Sequence, residues 1–258
     1  KQALTMKISR TANQEARAGG HSPSQAGALS AVETWIFDLD NTLYPPKCAL
    51  FAQIDQRMGE FIARHFGIDA AAARRMQKQF YRDYGTTLRG LMSEHRLDPR
   101  PFLDYVHDID LSAVPRDGPL SAAVKALSGR IFIHTNGTRA HAEKVAARIG
   151  LLEHVDAVYD IEAAGYVPKP ARATYEAFLA RYDIEPRRAV IFEDLQRNLE
   201  APAALGMTTV LVRPNGHAHP DAELGWAVSE ETPAHVHYVT DDLAAFLAAV
   251  PGRAAGES

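Results

Sequence analysis

Hydrophobic and polar positions follow two rhythms along this chain. Val32 to Phe37 reads as a strand, and its last three residues, Trp35, Ile36 and Phe37, are apolar on both faces, as a strand buried inside a sheet requires. From Ala49 to about Val106 the spacing becomes helical. Phe51, Ile54, Met58, Phe61 and Ile62 share one helical face that Gly67 closes. Asp69 is placed to cap a second helix through Ala73, Met76 and Phe80, and Thr87 to cap a third carrying Leu88, Leu91 and Met92. Asp98 and Pro99 open a fourth through Phe102 and Val106.

Strands return at Ile131 to His134, and from there strand and helix alternate. Ala142, Val145, Ala146 and Ile149 mark a helix ended by Gly150, Ala157 to Tyr159 a short strand, and Thr174 to Tyr182 a helix. Ala189 to Phe192 and Thr208 to Val212 are strands around a short helix near Asn198 to Leu205. A last strand near Tyr238 and a helix from Asp241 to Val250 follow a polar excursion over 214–234. Such alternation predicts an α/β fold: a three-layer, Rossmann-like parallel sheet with a small helical domain inserted after the first strand. The expected boundaries are a tail at 1–31, a core at 32–46 and 115–250, a helical insert at 47–114 and a second tail at 251–258. No internal repeat is visible.

Composition narrows the function classes. With 258 residues, 46% of them apolar, the chain can bury a full core. Its 28 basic and 32 acidic residues leave a net charge of -4, which recommends neither nucleic acid nor an anionic membrane and favours a small ligand. Cys48 is the only cysteine, so no internal disulfide is expected, and a reducing, cytoplasmic setting fits. No apolar stretch reaches the ~20 residues that span a bilayer. Residues 1–31 read as a mobile tail with Met6 as a candidate start; a transit peptide is the second reading, weakened by Glu15 and the lack of an apolar helical face.

The candidate chemistry sits at the carboxyl ends of the expected strands, where open parallel sheets bind ligands. Asp38 and Asp40 follow the first strand; two carboxylates so close repel each other and lose solvation unless a cation is near. The strand at Ile131 to His134 runs into Thr135-Asn136-Gly137, the strand at Ala189 to Phe192 into Glu193-Asp194, and Lys169 stands between Pro168 and Pro170. Thr135 and Asn136 also read as an ordinary helix N-cap pair, which does not conflict with binding an anion. His217, His219, His235 and His237 come in two distant pairs without a familiar zinc spacing and default to loop and strand-edge positions. Cys48 lies beside Lys47, which would lower its pKa, but no histidine partner is recognisable nearby.

In order and spacing, Asp38-Leu39-Asp40-Asn41-Thr42, Thr135-Asn136-Gly137, Lys169-Pro170 and Glu193-Asp194 with Asn198 resemble the four motifs of the haloacid dehalogenase superfamily, in its phosphatase branch. The resemblance covers roughly residues 32 to 250. It implies that Asp38 attacks phosphorus to form an aspartyl-phosphate, that Asp40 protonates the leaving alcohol and then deprotonates water, and that Thr42 orients Asp40. It implies Mg²⁺ bound by Asp38, Asp194 and the main-chain carbonyl of Asp40, with Glu193 as a further candidate ligand, and phosphoryl oxygens held by Thr135, Asn136 and Lys169. Glu193 replaces the small residue of the commonest fourth motif, and Asn198 stands where a second acid is often found.

The insert is then expected to act as a cap. The run Phe80 to Leu91 and Tyr105-Val106-His107-Asp108 resemble the cap of the pyrimidine 5'-nucleotidase group, which implies UMP or CMP as substrate. Tyr44 or Tyr84 would stack on a base, and Thr86, Thr87 and Arg89 would donate to carbonyl or ribose oxygens. The plainer alternative packs Tyr84 between helices and pairs Arg89 with an acid. A phosphatase for sugar phosphates or phosphoglycolate is the second enzyme reading, and a phosphate- or partner-binding module the non-enzymatic one; a dehalogenase is disfavoured by the acid at Asp40. The expected partner is a small phosphorylated metabolite, with the chain a monomer or homodimer.

Overall fold

The structure, a computed structural model, describes residues 29–213 and 232–250. Six parallel strands form one sheet: β1 (Thr34–Phe37), β2 (Arg130–His134), β3 (Ala157–Tyr159), β4 (Ala189–Glu193), β5 (Thr208–Val212) and β6 (Tyr238–Thr240), in spatial order β3-β2-β1-β4-β5-β6. β1 is central, with Ile36 in register with Phe132 on one side and Ile191 on the other. Strand alternation divides the core into two layers. Trp35 and Phe37 point into one, with Val124 of α5 (Gly118–Lys125), Val145 of α6 (Arg139–Ile149) and Phe246 of α9 (Leu243–Ala248). Ile36 and Ile191 point into the other, with Tyr175 and Phe178 of α7 (Arg172–Tyr182) and Leu199 of α8 (Gln196–Leu205). Each such buried side chain contributes about 1.5–3 kcal/mol, so the sheet and its two helical layers form a stiff platform for the strand ends.

Between β1 and α5 the chain builds four helices: α1 (Leu50–Phe66), α2 (Ala70–Tyr84), α3 (Thr87–His95) and α4 (Pro99–Val106). They enclose a small core of their own around Ile54, Ile62, Phe80, Leu91 and Phe102. Asp69 and Asp98 cap α2 and α4 as expected, each accepting a bond from a backbone N–H of the first turn. Gly67 ends α1 in the left-handed conformation at φ 64°.

Several expectations shift. Thr86, not Thr87, caps α3 by accepting from the Arg89 N–H; Thr87 is buried one residue inside the helix. Thr135 and Asn136 do not cap α6; Thr138 does. Leu29, assigned to the tail, is 2% exposed and packs in the core beneath Trp35. α5 was not expected at all: its Gly-Pro opening and small residues mask a helix capped by Asp117. The remainder of the expected tails, most of the 214–234 excursion, and His217 and His219 lie outside the described residues. His235 and His237 bond locally, His237 Nδ1 accepting from the Thr209 N–H at 3.0 Å. Cys48 is buried, and burial raises its pKa although Lys47 opposes it. Among the described residues no helix is long and apolar enough to cross a membrane.

Candidate active site

Because β1, β2 and β4 are neighbours, their carboxyl ends bring three of the expected motifs together. The Asp38 N–H donates to the Phe192 carbonyl at 2.9 Å, so the residue continues the β1–β4 ladder and its backbone is fixed by the sheet. Beyond it the chain turns through Asn41, at φ 63°, with the Leu43 N–H returning to the Leu39 carbonyl at 3.0 Å. That turn presents Asp40 beside Asp38. Asp38, Glu193 and Asp194 are all buried, with one carboxylate oxygen from each within 4.8 Å of the others.

Lys169 enters this cluster from the loop before α7 and is 2% exposed. Its Nζ donates to Asp38 Oδ1 at 2.6 Å, Glu193 Oε1 at 2.6 Å and the His134 carbonyl at 2.9 Å, so all three ammonium protons have acceptors. Asn136 fixes the backbone of that lysine. Its Oδ1 accepts from the Lys169 N–H at 2.8 Å, and its Nδ2 donates to the Lys169 carbonyl at 3.2 Å. The Lys169-Pro170 peptide bond is cis. Thr135 Oγ1 accepts from the Gly137 N–H at 2.9 Å, and that loop lines the same cleft.

The Lys169 ammonium thus sits in a cluster with three buried carboxyls. Burial pushes the Asp38 carboxyl well above the usual range; Lys169 opposes this, while Glu193, Asp194 and Asp40 add to it. Glu193 is held low: burial works against ionisation, but the Lys169 ammonium, with hydrogen bonds from Lys169 and the Leu195 N–H, outweighs it. Asp40 is also lowered, since His141 and hydrogen bonds from His141 and Tyr44 outweigh its burial. The donor set suits Mg²⁺, a hard cation that takes carboxylate oxygens and retains waters. Asn198 Oδ1, buried at the rim of the cluster without a partner among the described residues, is an acceptor left for such a water. Glu193 has both oxygens engaged, Oε1 by Lys169 and Asn198 Nδ2 and Oε2 by the Leu195 N–H. One carboxylate oxygen each of Asp38 and Asp194 completes the same buried cluster.

The cleft above the cluster has about 150 Å³ of free volume, with the strand-end residues as floor and α1, α2, α3 and α4 contributing walls. Most of that wall is apolar, including Phe51, Met58, Leu88 and Phe102; Asp55, Gln77, Lys78, Thr86 and Thr87 are its polar parts. Arg197 of α8 donates to the Tyr81 hydroxyl of α2 at 2.6 Å, joining floor to wall at the same cleft.

The residues expected to contact a leaving group divide. Thr86 and Thr87 line the cleft, whereas Arg89 is exposed and outside it. Tyr84 also lies outside, its hydroxyl bonded to Glu94 and its ring edge-on to Phe80, which is the packing alternative. Tyr44 is 2% exposed and cannot stack on a base; its hydroxyl donates to Asp40 Oδ1 at 2.5 Å. Thr42 does not orient Asp40: its Oγ1 is buried without a partner among the described residues, and Tyr44 and His141 hold the carboxyl instead. The sequence singles out neither His141 nor Arg197, and it marks Tyr81 and His107 only as members of the runs that resemble a cap. His141 lies 101 positions from Asp40, and no local pattern links them.

Comparison with known proteins places this geometry. The profile of the haloacid dehalogenase-like hydrolases matches residues 32–206. The chain is 29% identical over 227 residues to a ribulose-1,5-bisphosphate 5-phosphatase of Halopiger xanaduensis, covering 78% of this chain and 92% of that protein. It is 36% identical over 99 residues to the fructose-1-phosphate phosphatase YqaB of Escherichia coli, covering 37% of this chain and 51% of that protein. Two solved structures share the fold: a HAD phosphatase from Thermococcus onnurineus (17% identity, TM-score 0.55, 82% of this chain and 94% of that chain), and an L-2-haloacid dehalogenase from Xanthobacter autotrophicus with chloropropionic acid covalently bound (15%, 0.53, 84% and 97%). With the family profile spanning most of the described core, the chain belongs to the haloacid dehalogenase-like hydrolases.

Proposed function

We propose that this hydrolase is a Mg²⁺-dependent phosphomonoesterase acting through an aspartyl-phosphate. The observation that carries the reading is the grip of Lys169 on Asp38 Oδ1, which leaves the other oxygen of a backbone-fixed carboxylate to attack. Asp38, whose ionised form the bound cation would favour against its burial, bonds to phosphorus as the bond to the leaving oxygen breaks, and Asp40, once it has taken up a proton, gives it to that oxygen. Asp40 then takes a proton from water, which attacks phosphorus and frees Asp38 and inorganic phosphate. Mg²⁺ on Asp38, Asp194 and the Asp40 carbonyl would supply charge neutralisation for the carboxylates and a phosphoryl oxygen. Thr135, the main chain near Asn136 and the positive charge of Lys169 would hold the remaining oxygens, and Glu193 serves by holding Lys169.

The helical insert, residues 47–114, is the cap over this site. A small sugar phosphate is the preferred substrate class: the two relatives named above are phosphatases of phosphorylated sugars. The pyrimidine nucleoside monophosphates UMP and CMP, the first expectation from the sequence, stand beside it, and Tyr81 and the apolar wall of the cleft support them. The partner is thus a small phosphorylated metabolite, and the sole cysteine supports a cytoplasmic setting, as monomer or homodimer.

A panel of sugar phosphates, phosphoglycolate, UMP and CMP, assayed with Mg²⁺, with EDTA, and with Asp38→Asn, tests all of this. Phosphate release should vanish with EDTA and fall at least about 10³-fold in the variant. Release surviving either treatment sinks the mechanism, and faster turnover of UMP and CMP than of sugar phosphates reverses the order of the substrate readings.

A further inference from the structure

Asp40 is anchored through one oxygen only. Oδ1 accepts the Tyr44 hydroxyl at 2.5 Å and lies 3.2 Å from His141 Nε2, while Oδ2 has no partner among the described residues and the residue lines the cleft. Both anchors are 2% exposed, so water does not compete for either bond. His141 is itself braced. The ring of His107 stacks on it with centroids 4.6 Å apart and planes 17° from parallel. His107 Nδ1 lies 3.3 Å from Thr138 Oγ1, the residue that caps the helix bearing His141. His107 directly follows α4, the last helix of the insert, and also lines the cleft.

We propose that Tyr44 and His141 are positioning residues for the proton-transferring carboxyl of Asp40, and that His107 makes their grip depend on the seating of the helical insert. The proposal rests on the acid–base role of Asp40 given above. A carboxyl turns about two torsions, and its free oxygen must stay within hydrogen-bond reach of the leaving oxygen to deliver a proton. Pinning Oδ1 from two directions removes that freedom and leaves Oδ2 facing the substrate. Displacement by ~1 Å is enough to cost ~10²-fold in rate. An insert that swings away takes His107 off His141 and loosens one of the two pins, so proton transfer is complete only beneath a seated insert.

The test uses the full chain with Mg²⁺ and two esters of similar size. p-Nitrophenyl phosphate expels a stable anion that needs no proton, whereas benzyl phosphate expels an alkoxide that does. Tyr44→Phe and His141→Leu should lower kcat/KM for benzyl phosphate about 10- to 100-fold and for p-nitrophenyl phosphate less than about 3-fold, with KM nearly unchanged. His141→Gln, which keeps an N–H donor, should recover most of the loss. His107→Ala should behave like the weaker anchor variants, and His107→Phe, which keeps a stacked ring, should not. Equal losses on both esters, or none on either, overturn the proposal. Asp40→Asn run alongside locates a failure: if it leaves the ratio of the two esters unchanged, the acid role of Asp40 falls and the proposal with it. If it shifts the ratio and the anchor variants do not, only the anchoring falls.

Discussion

Asn136 and Lys169 clasp each other through a pair of side-chain-to-backbone hydrogen bonds, of 2.8 and 3.2 Å, that join the loop after β2 to the loop before α7. The lysine reaches Asp38 only because its backbone is held there. Asn136→Ala removes both bonds and leaves a buried N–H and carbonyl to find new partners, at a cost of about 1–3 kcal/mol. Turnover should fall about 10-fold by the resulting shift of the ammonium. Denaturant unfolding with steady-state kinetics checks both, and Asn136→Asp, which keeps only the acceptor, should fall between the variant and the native protein.

Lys169→Met strands two buried carboxyls. Asp38 and Glu193 each lose a 2.6 Å bond to the ammonium, and removing one partner of a buried ionic cluster costs about 3–5 kcal/mol. The variant should be far less stable than the native protein in EDTA at neutral pH, and Glu193→Gln combined with it should return part of the loss by removing one of the stranded charges. Phosphate release should be lost in both.

Acid lability is expected from the histidines. Burial, with His141 adding to it and Asp40 opposing, lowers the pKa of His107 to about 3, and burial with Lys169 lowers His134 well below the usual value. The unfolded chain takes up a proton near about 6.5 and the folded His107 does not until about pH 3. Its stabilising contribution is therefore complete above the unfolded value and is lost as pH falls through that window, with a slope approaching ~1.4 kcal/mol per pH unit for each such histidine. Denaturation midpoints followed from neutral pH downward should show that slope, and His107→Gln should flatten it.

Much of the frame could be read along the chain because its signals are local. Trp35, Ile36 and Phe37 mark a buried strand without help from any other residue, and Asp69 and Asp98 announce their helices within one turn. The polar residues following β1, β2 and β4 are legible because they stand at the carboxyl ends of expected parallel strands, where such sheets bind ligands. What escaped notice depends on contacts across the fold. His141 sits in Arg-Ala-His-Ala, which reads as an ordinary helix start, and only the packing of α6 against the β1 loop turns it toward Asp40. Tyr44 looked like a base-stacking ring because nothing in the sequence reveals that the turn at Asn41 folds it inward. The helix α5 was hidden by Gly118 and Pro119 at its opening, where proline belongs to a first turn rather than to a break.

Gly90 tests the insert as a unit. A Cβ there would lie 2.4 Å from Cβ and Cγ of Phe80, too close for any rotamer change to relieve, because the Phe80 Cβ is fixed to its own backbone. Gly90→Ala should therefore push α3 off α2 and destabilise the insert by about 1–3 kcal/mol. Thr86 and Thr87 at the start of α3 and Tyr81 in α2 all line the cleft, so KM should rise while binding of Mg²⁺, measured by calorimetry, should not change. Altered Mg²⁺ binding would mean that the insert supports the carboxylate cluster as well.

The four helices interrupt the sheet at a single place, between β1 and α5, and gather a hydrophobic core of their own, joined to the sheet's cores through Leu50, Ile109 and Ile161. On the function proposed above, the insert can be exchanged as a cassette that carries selectivity while the carboxyls at the strand ends stay in place. The stack of His107 on His141 sets the limit of that freedom. A grafted cassette that supplies no flat ring at its exit would carry a new preference into the hybrid but leave the proton donor beneath it loosely aimed.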